Sequence, residues 1–427
     1  MKLYFKFLLL FIVGLIIFKL IRPYIILTFN NNSQNHSTSV TNWLEDLEQL
    51  RTELPKKHIN LYQNITKENF NLLIDNLEKD LNSLSVSEIK IRIMEIIASV
   101  KDSHTYARCT FSKKYFPIET CWFSDGLYII GTSQKYKHIR GSKILEINKI
   151  PIEEAVRRIN KAISFENEQW ARVNQPEILK IPEVLEYYGL STKEELRLTV
   201  NNMENKIVNV SIKPVEDIRI AGVDLETKID NLKPNKMSIY SEKDKEFWYQ
   251  VIETEKTIYV QFNDCVLFDK NFRYWGSFVN EVIKTINDKN IEKLVIDMRY
   301  NTGGLYYPFN NMVDKIKKIE AINKKGHLFI IIGKRTFSSA LLYAMDFKKN
   351  TEAIFVGEPT GGKPNGFGDM RNFRLKNSKI NISYSSKYFE TIPNENSLYL
   401  LPDYNIETNF LDYLNGKDPV LEFIYRY

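Results

Sequence analysis

Cysteine is scarce in this 427-residue chain: Cys109, Cys121 and Cys265 are an odd number at scattered spacings, with no CxxC pair. A disulfide framework is excluded, and at most one bridge is open to the chain, with Cys109 and Cys121 as the candidate pair. Histidine is also sparse, at five residues with no HExxH pair, which argues against a zinc enzyme. A dominant charge is missing as well. Lys and Arg number 59 against 53 Asp and Glu, a net +6, and the first 30 residues hold Lys2, Lys6, Lys19 and Arg22 with no acid, so the remainder carries only +2. That balance gives no support to a nucleic-acid partner. With 43% hydrophobic and 13% aromatic residues the chain has ample material for real cores, which excludes wholesale disorder.

One long apolar run is present. Phe7 to Phe18 reads FLLLFIVGLIIF behind Lys2 and Lys6, the length and flank of a secretory hydrophobic region. No small-residue cleavage site follows, and Leu20, Ile21 and Tyr24 to Phe29 extend the stretch to the length of a bilayer span, with Lys19 and Arg22 near one end. The expectation is an uncleaved signal-anchor over 1–30, amino terminus inside, with the body of the protein outside the cytoplasm, or secreted if the segment is cleaved. Residues 31–39 are polar and read as a tether.

Folded sequence starts near Val40. Trp43, Leu47, Leu50 and Leu54 recur at helical spacing up to Pro55, and Phe70, Leu73, Leu77 and Leu81 repeat the pattern. Ser85 with Glu88 is a capping box that opens a third helix over 89–100, so 40–104 is expected to be helical. From 105 to 213 the apolar runs become short and alternating, a β-rich module with helices near 151–163 and 176–188. Residues 214–235 look like a connection. From 236 to 427 the period switches between strand and helix: Ile258–Phe262, Leu294–Ile296, Leu328–Ile332 and Ala353–Val356 read as buried strands separated by amphipathic stretches. That alternation predicts an α/β domain with a largely parallel sheet, whose function lies where strands end.

The loops after those strands carry the chemistry. Asp297 to Gly304 ends in paired glycines, which let amides approach a ligand or simply form a tight turn. Ser338 and Ser339 stand where the third strand turns into a helix, a place for a nucleophile and equally for an ordinary N-cap. Gly357 to Lys363 matches GxxxxGK, but Pro364 follows where a P-loop needs a hydroxyl, which removes nucleotide binding. Upstream, Lys101-Asp102-Ser103-His104-Thr105 places one histidine beside small polar residues.

Together these segments resemble the serine peptidase family of the C-terminal (tail-specific) processing proteases and the tricorn core protease. The matching pieces come in family order: KDSHT at 101–105, GSKILEINKIPIEE at 141–154, VIDMRYNTGG at 295–304, TFSSA at 336–340, GEPTGGKPN at 357–365, LPDYNIE at 401–407 and DYLNGKDPVLE at 412–422. The resemblance implies a ClpP/crotonase-like catalytic domain, a PDZ-like module around 105–213 and an amino-terminal helical domain. It implies Ser338 as nucleophile, because the processing proteases place a lysine base 25 residues later and Lys363 stands at that distance. The Ser339 amide, with Gly303 or Gly304, would then bind the oxyanion. The tricorn branch implies a different set, Ser103 and His104 with a glutamate for which Glu395 is the nearest candidate. Of the two bases His104 is favoured, since an imidazole with an ordinary pKa of about 6.5 needs little adjustment at neutral pH. The implied activity is a membrane-tethered, extracytoplasmic serine endopeptidase acting on peptide or protein substrates without metal or organic cofactor. The alternative is a non-catalytic peptide-binding protein on the same fold. The sequence carries no signal for oligomeric state.

Overall fold

Three hydroxyl side chains open the amino-terminal helices. Ser39, Thr66 and Ser85 each accept a backbone N–H from the first turn of helices α1 (Val40–Lys57), α2 (Lys67–Asp80) and α3 (Val86–Ala98), and Glu88 closes the expected capping box on Ser85. The computed structural model describes residues 39–216, 244–306 and 310–427. The expected anchor at 1–30, the tether short of Ser39 and the connection beyond residue 216 lie outside the described residues. Among the described residues no helix is long and apolar enough to cross a membrane.

Two sequence expectations are corrected in this region. Helix α1 runs through Pro55 to Lys57, because a proline in the last turn costs only one intrahelical bond and the His58 N–H still reaches the Leu54 carbonyl. In α2 the buried stripe is Phe70, Ile74 and Leu77, whereas Leu73 is exposed. None of the three cysteines is in a disulfide, so the bridge between Cys109 and Cys121 is not formed.

After α3 the chain passes through strand β1 (Tyr106–Arg108) into a module built on strands β2 (Ile118–Phe123), β3 (Gly126–Thr132), β4 (Lys143–Ile147), β5 (Leu196–Asn201) and β6 (Ile207–Ile212), paired in that order and antiparallel. Helices α4 (Ile152–Ile159), α5 (Glu168–Ile178) and α6 (Pro182–Tyr187) lie between β4 and β5, so the single helix expected over 176–188 is two helices and begins earlier.

The second half forms a six-stranded sheet: β7 (Phe247–Ile252), β8 (Thr257–Phe262), β9 (Lys293–Asp297), β10 (Leu328–Ile332), β11 (Ile354–Gly357) and, later in the chain, β14 (Tyr404–Asn405). β7 is antiparallel to β8 and all other pairs are parallel. Strands β8 to β11 are added in chain order, and crossovers of one hand moving in one direction put their helices on one face. Accordingly α7 (Trp275–Asp288), α8 (Asn310–Ile316) and α9 (Ser339–Asn350) share one apolar cluster, and the carboxyl-terminal helix Pro419–Arg426 covers the opposite face. Burial on both faces explains why these strands read as unbroken apolar runs.

One element ties the halves together. Between β11 and β14 the chain makes a hairpin of β12 (Gly366–Arg374) and β13 (Asn381–Phe389), and β13 pairs antiparallel with β1, the strand that follows His104. Leu375, Ile380, Ile382 and Tyr384 of this hairpin belong to the core of the amino-terminal half. Its turn is held by Asp46 of α1, fully buried, whose carboxylate accepts the N–H groups of Asn377 and Ser378, both at 2.7 Å. Asp46→Ala leaves two amides without their acceptor and is expected to cost about 3 kcal/mol, read as a lower urea midpoint at unchanged slope. A midpoint equal to that of the parent protein contradicts this account of the hairpin.

Candidate active site

Strand β10 ends at Ile332, and the turn to α9 is locked by Thr336, which is completely buried. Its hydroxyl donates to the Met298 carbonyl at 3.0 Å and accepts the Gly333 N–H at 3.0 Å, and its own N–H reaches the Gly333 carbonyl at 2.8 Å. The Phe337 N–H donates to the Asn301 carbonyl, tying this turn to the loop after β9. The result holds Ser338 at φ 52°, ψ −129°. A residue with a Cβ pays about 1–3 kcal/mol for such a backbone, so the surrounding bonds over-determine it. Ser338 caps no helix amide, which corrects the ordinary N-cap reading of the junction. Its Oγ lies instead 3.0 Å from Nε2 of His104.

His104 is delivered from the far end of the sequence by a carboxylate hub. Asp102 is completely buried and accepts four hydrogen bonds: from the His104 N–H (2.9 Å), Thr105 Oγ1 (2.5 Å), Ser385 Oγ (2.6 Å) and His58 Nε2 (3.0 Å). His58 is itself buried, and its Nδ1 accepts the Asn60 N–H, so the proton is assigned to Nε2 and points at Asp102. Burial opposes the Asp102 charge, but the bonds from His58, Ser385 and Thr105 together with the attraction of His104 outweigh it and leave its pKa below the usual carboxylate value.

The His104 ring stacks on Phe337 (centroids 4.5 Å apart), which stacks in turn on Trp170 of α5 (3.8 Å). Burial lowers the imidazole pKa, with Asp102 and the Phe367 carbonyl pulling the other way and the net direction downward. His104 is therefore a neutral base at neutral pH. Its Nδ1 lies 3.9 Å from the nearest Asp102 oxygen, too far for a direct bond to that carboxylate.

The paired glycines stand against the serine. A Cβ on Gly303 (φ +104°) would fall 2.8 Å from Ser338 Cβ, and one on Gly304 (φ +130°) would fall 2.5 Å from the Cys265 carbonyl oxygen, so both positions require glycine. The Gly303 N–H is committed to Asn301 Oδ1 at 2.9 Å. Among the described residues the amides of Gly304 and Ser339 have no protein acceptor, which leaves these two for an oxyanion.

The other sequence candidates are placed elsewhere. Lys363 forms no hydrogen bond to Ser338; its charge acts on Glu166. Glu395 is turned to Ser397, which it accepts through both N–H (2.8 Å) and Oγ (2.6 Å), and it makes no hydrogen bond to His104. Ser103 Oγ accepts the Glu166 N–H at 3.1 Å. Sequence reasoning gave no role to His58, Phe337, Trp170 or Glu166, and their spacing along the chain carries no signal that they meet. No cluster of three or more His, Cys, Asp or Glu side chains among the described residues is arranged to hold a metal ion.

No family model matches the sequence, and no curated protein matches it. Solved structures do. Mature CPAF complexed with lactacystin aligns with a TM-score of 0.63 at 13% identity over 91% of this chain and 97% of that one, and mature CPAF alone aligns at 0.62 and 13% over 90% and 96%. A photosystem II D1 C-terminal processing protease, at 0.38 and 11% over 86% and 93%, is too distant to add weight. The chain thus has the fold of mature CPAF along nearly the whole length of both, a mixed α/β architecture.

An imidazole signal in an NMR titration is expected to place His104 below the ordinary value of about 6.5. Asp102→Asn removes the negative charge that favours the imidazolium, so the midpoint moves lower still. A midpoint that rises in the variant contradicts the assigned electrostatics.

Proposed function

We propose that the chain is a serine peptidase that cleaves peptide bonds through an acyl-enzyme on Ser338. The observation that carries this reading is the 3.0 Å contact between Ser338 Oγ and the neutral His104 Nε2, beside two amides without acceptors. In the reaction Ser338 Oγ attacks the peptide carbonyl while His104 Nε2 takes its proton, and the Gly304 and Ser339 amides receive the developing oxyanion. The imidazolium then returns the proton to the leaving amine, and water, activated by the same ring, releases the acyl group. His104, with its pKa lowered by burial, is the base in this scheme, and Lys363 is not.

The resemblance to the tail-specific processing proteases and the tricorn core protease, together with the shared CPAF fold, supports the same class. The antiparallel module of β2 to β6 fits the PDZ-like role of presenting an extended peptide, which would add as a strand to an exposed edge. The apolar segment at 1–30 supports a membrane-tethered enzyme with its catalytic part outside the cytoplasm, or a secreted one after cleavage.

A serine-directed fluorophosphonate is expected to label the full chain, and Ser338→Ala to abolish that labelling. His104→Ala is expected to lower kcat/KM on a peptide substrate about 10²–10⁴-fold, and Lys363→Met far less. Unchanged labelling of Ser338→Ala overturns the peptidase reading. Saturable peptide binding without turnover in the parent chain supports instead a binding protein on this fold.

A further inference from the structure

One aromatic side chain of the antiparallel module is built into the catalytic half. Trp170 stands in the first turn of α5 and is buried, and with Val173 and Phe337 it forms a small apolar cluster apart from the cores of the two halves, with Phe165 packed on it. Among the described residues its indole Nε1 meets no acceptor, so the ring is held by its faces and by packing rather than by a hydrogen bond. The backbone around it is fixed from both sides. Asn167, the N-cap of α5, accepts the Trp170 N–H at 3.0 Å and donates its Nδ2 to the Gly361 and Leu398 carbonyls at 3.0 and 2.8 Å. Gly361 is wedged in between: a Cβ there would fall 2.2 Å from the Lys334 carbonyl oxygen and 2.9 Å from Trp170 Cε3. The Gly362 N–H donates to the Thr336 carbonyl at 3.1 Å. Helix α5 and the turn that carries Ser338 therefore grip the same short loop after β11.

His104 needs such a support. Where a serine, a histidine and an aspartate work together, the carboxylate bonds the ring nitrogen and sets the imidazole plane. Here Asp102 takes the backbone N–H of His104, and its nearest oxygen is 3.9 Å from Nδ1. A ring face is supplied instead. His104 lies on Phe337 with centroids 4.5 Å apart and planes 23° apart, and Trp170 lies on Phe337 at 3.8 Å and 12°. Two rings so nearly parallel to a third at these distances cannot share one of its faces, so Phe337 is clamped between imidazole and indole. The Phe337 backbone is fixed by the Asn301 carbonyl, and the indole stops its side chain from swinging back.

We propose that Trp170 is a positioning residue for His104, the outer member of a three-ring stack through which the antiparallel module holds the imidazole plane on Ser338 Oγ. The proposal rests on the peptidase reading above and adds to it a residue that touches neither substrate nor nucleophile. What the stack requires at position 170 is a flat ring. Trp170→Phe keeps one and drops only an unpaired N–H, whereas Trp170→Leu keeps an apolar side chain without a flat face.

The test is kcat and KM on a peptide substrate for the full chain and its Trp170→Ala, Trp170→Phe and Trp170→Leu variants, with urea midpoints measured alongside. Trp170→Ala is expected to lower kcat roughly 10–10²-fold with KM little changed, as a tilted base slows the proton transfer without altering the peptide's contacts. Trp170→Phe restores most of kcat and Trp170→Leu does not, even where their urea midpoints agree, a split that a merely structural role does not produce. The Phe and Leu variants keep the test open if Trp170→Ala does not fold. Parent-level kcat in Trp170→Ala or Trp170→Leu, or a loss that appears in KM alone, overturns the proposal while leaving the peptidase reading intact. Persistent labelling of Ser338→Ala overturns the peptidase reading itself, and the role of Trp170 with it.

Discussion

The buried carboxylate of Asp102 is the constraint on which the site depends. It binds the backbone of His104, the side chain of Thr105 just before β1, Ser385 on β13 and His58 after α1, so one charge fixes three pieces of chain relative to one another. Burying a lone carboxylate is costly, and only a full set of donors makes it stable there. Those donors come from the helical region and from the late hairpin. Assembly of the two halves and placement of the imidazole are therefore a single event.

The nucleophile side is built by a different device. Thr336 and Asn301 stitch the loops after β9 and β10 to each other, and the stitched turn forces Ser338 into a backbone conformation that residues with a Cβ avoid. The strain points its hydroxyl away from the helix amides it would otherwise cap. Gly303 and Gly304 admit that close approach, since a Cβ on Gly303 would collide with Ser338 Cβ and one on Gly304 with the Cys265 carbonyl oxygen. Phe337 then serves both sides, backing the His104 ring and stacking on Trp170 of the antiparallel module. The module is thereby joined to the site by aromatic contact, which gives it a physical route to influence the base.

Much of this was legible in the sequence. The parallel strands β8 to β11 announce themselves as short apolar runs between amphipathic stretches, and the capping box of α3 is spelled out by Ser85 and Glu88. The loops that end those strands held the two candidate serines and the glycines, and the family resemblance singled out Ser338. Less legible was whatever depends on contacts distant in the chain. The hairpin of β12 and β13 has no clean alternation, because Gly366 and Gly368 contribute no side chain and Asp369, at φ +54°, interrupts the strand. The junction serine read equally as a cap, since the strain that denies it that role arises from Met298 and Asn301 on another strand's loop. Glu166, on which the Lys363 charge acts, lies nearly two hundred residues earlier, and the turn that occupies Glu395 is set by Ser397.

The central claim is geometric: a hydroxyl, an imidazole and two amides from separate stretches of chain surround one carbonyl-sized space. A crystal structure of the full chain reacted with a peptidyl boronic acid tests it most directly. The account predicts a covalent bond from boron to Ser338 Oγ, one boronate oxygen within hydrogen-bond distance of the Gly304 and Ser339 amides, and His104 Nε2 next to another boronate oxygen or to Oγ. A boronate held elsewhere, or bound at Ser338 with its oxygens turned from both amides, would contradict it.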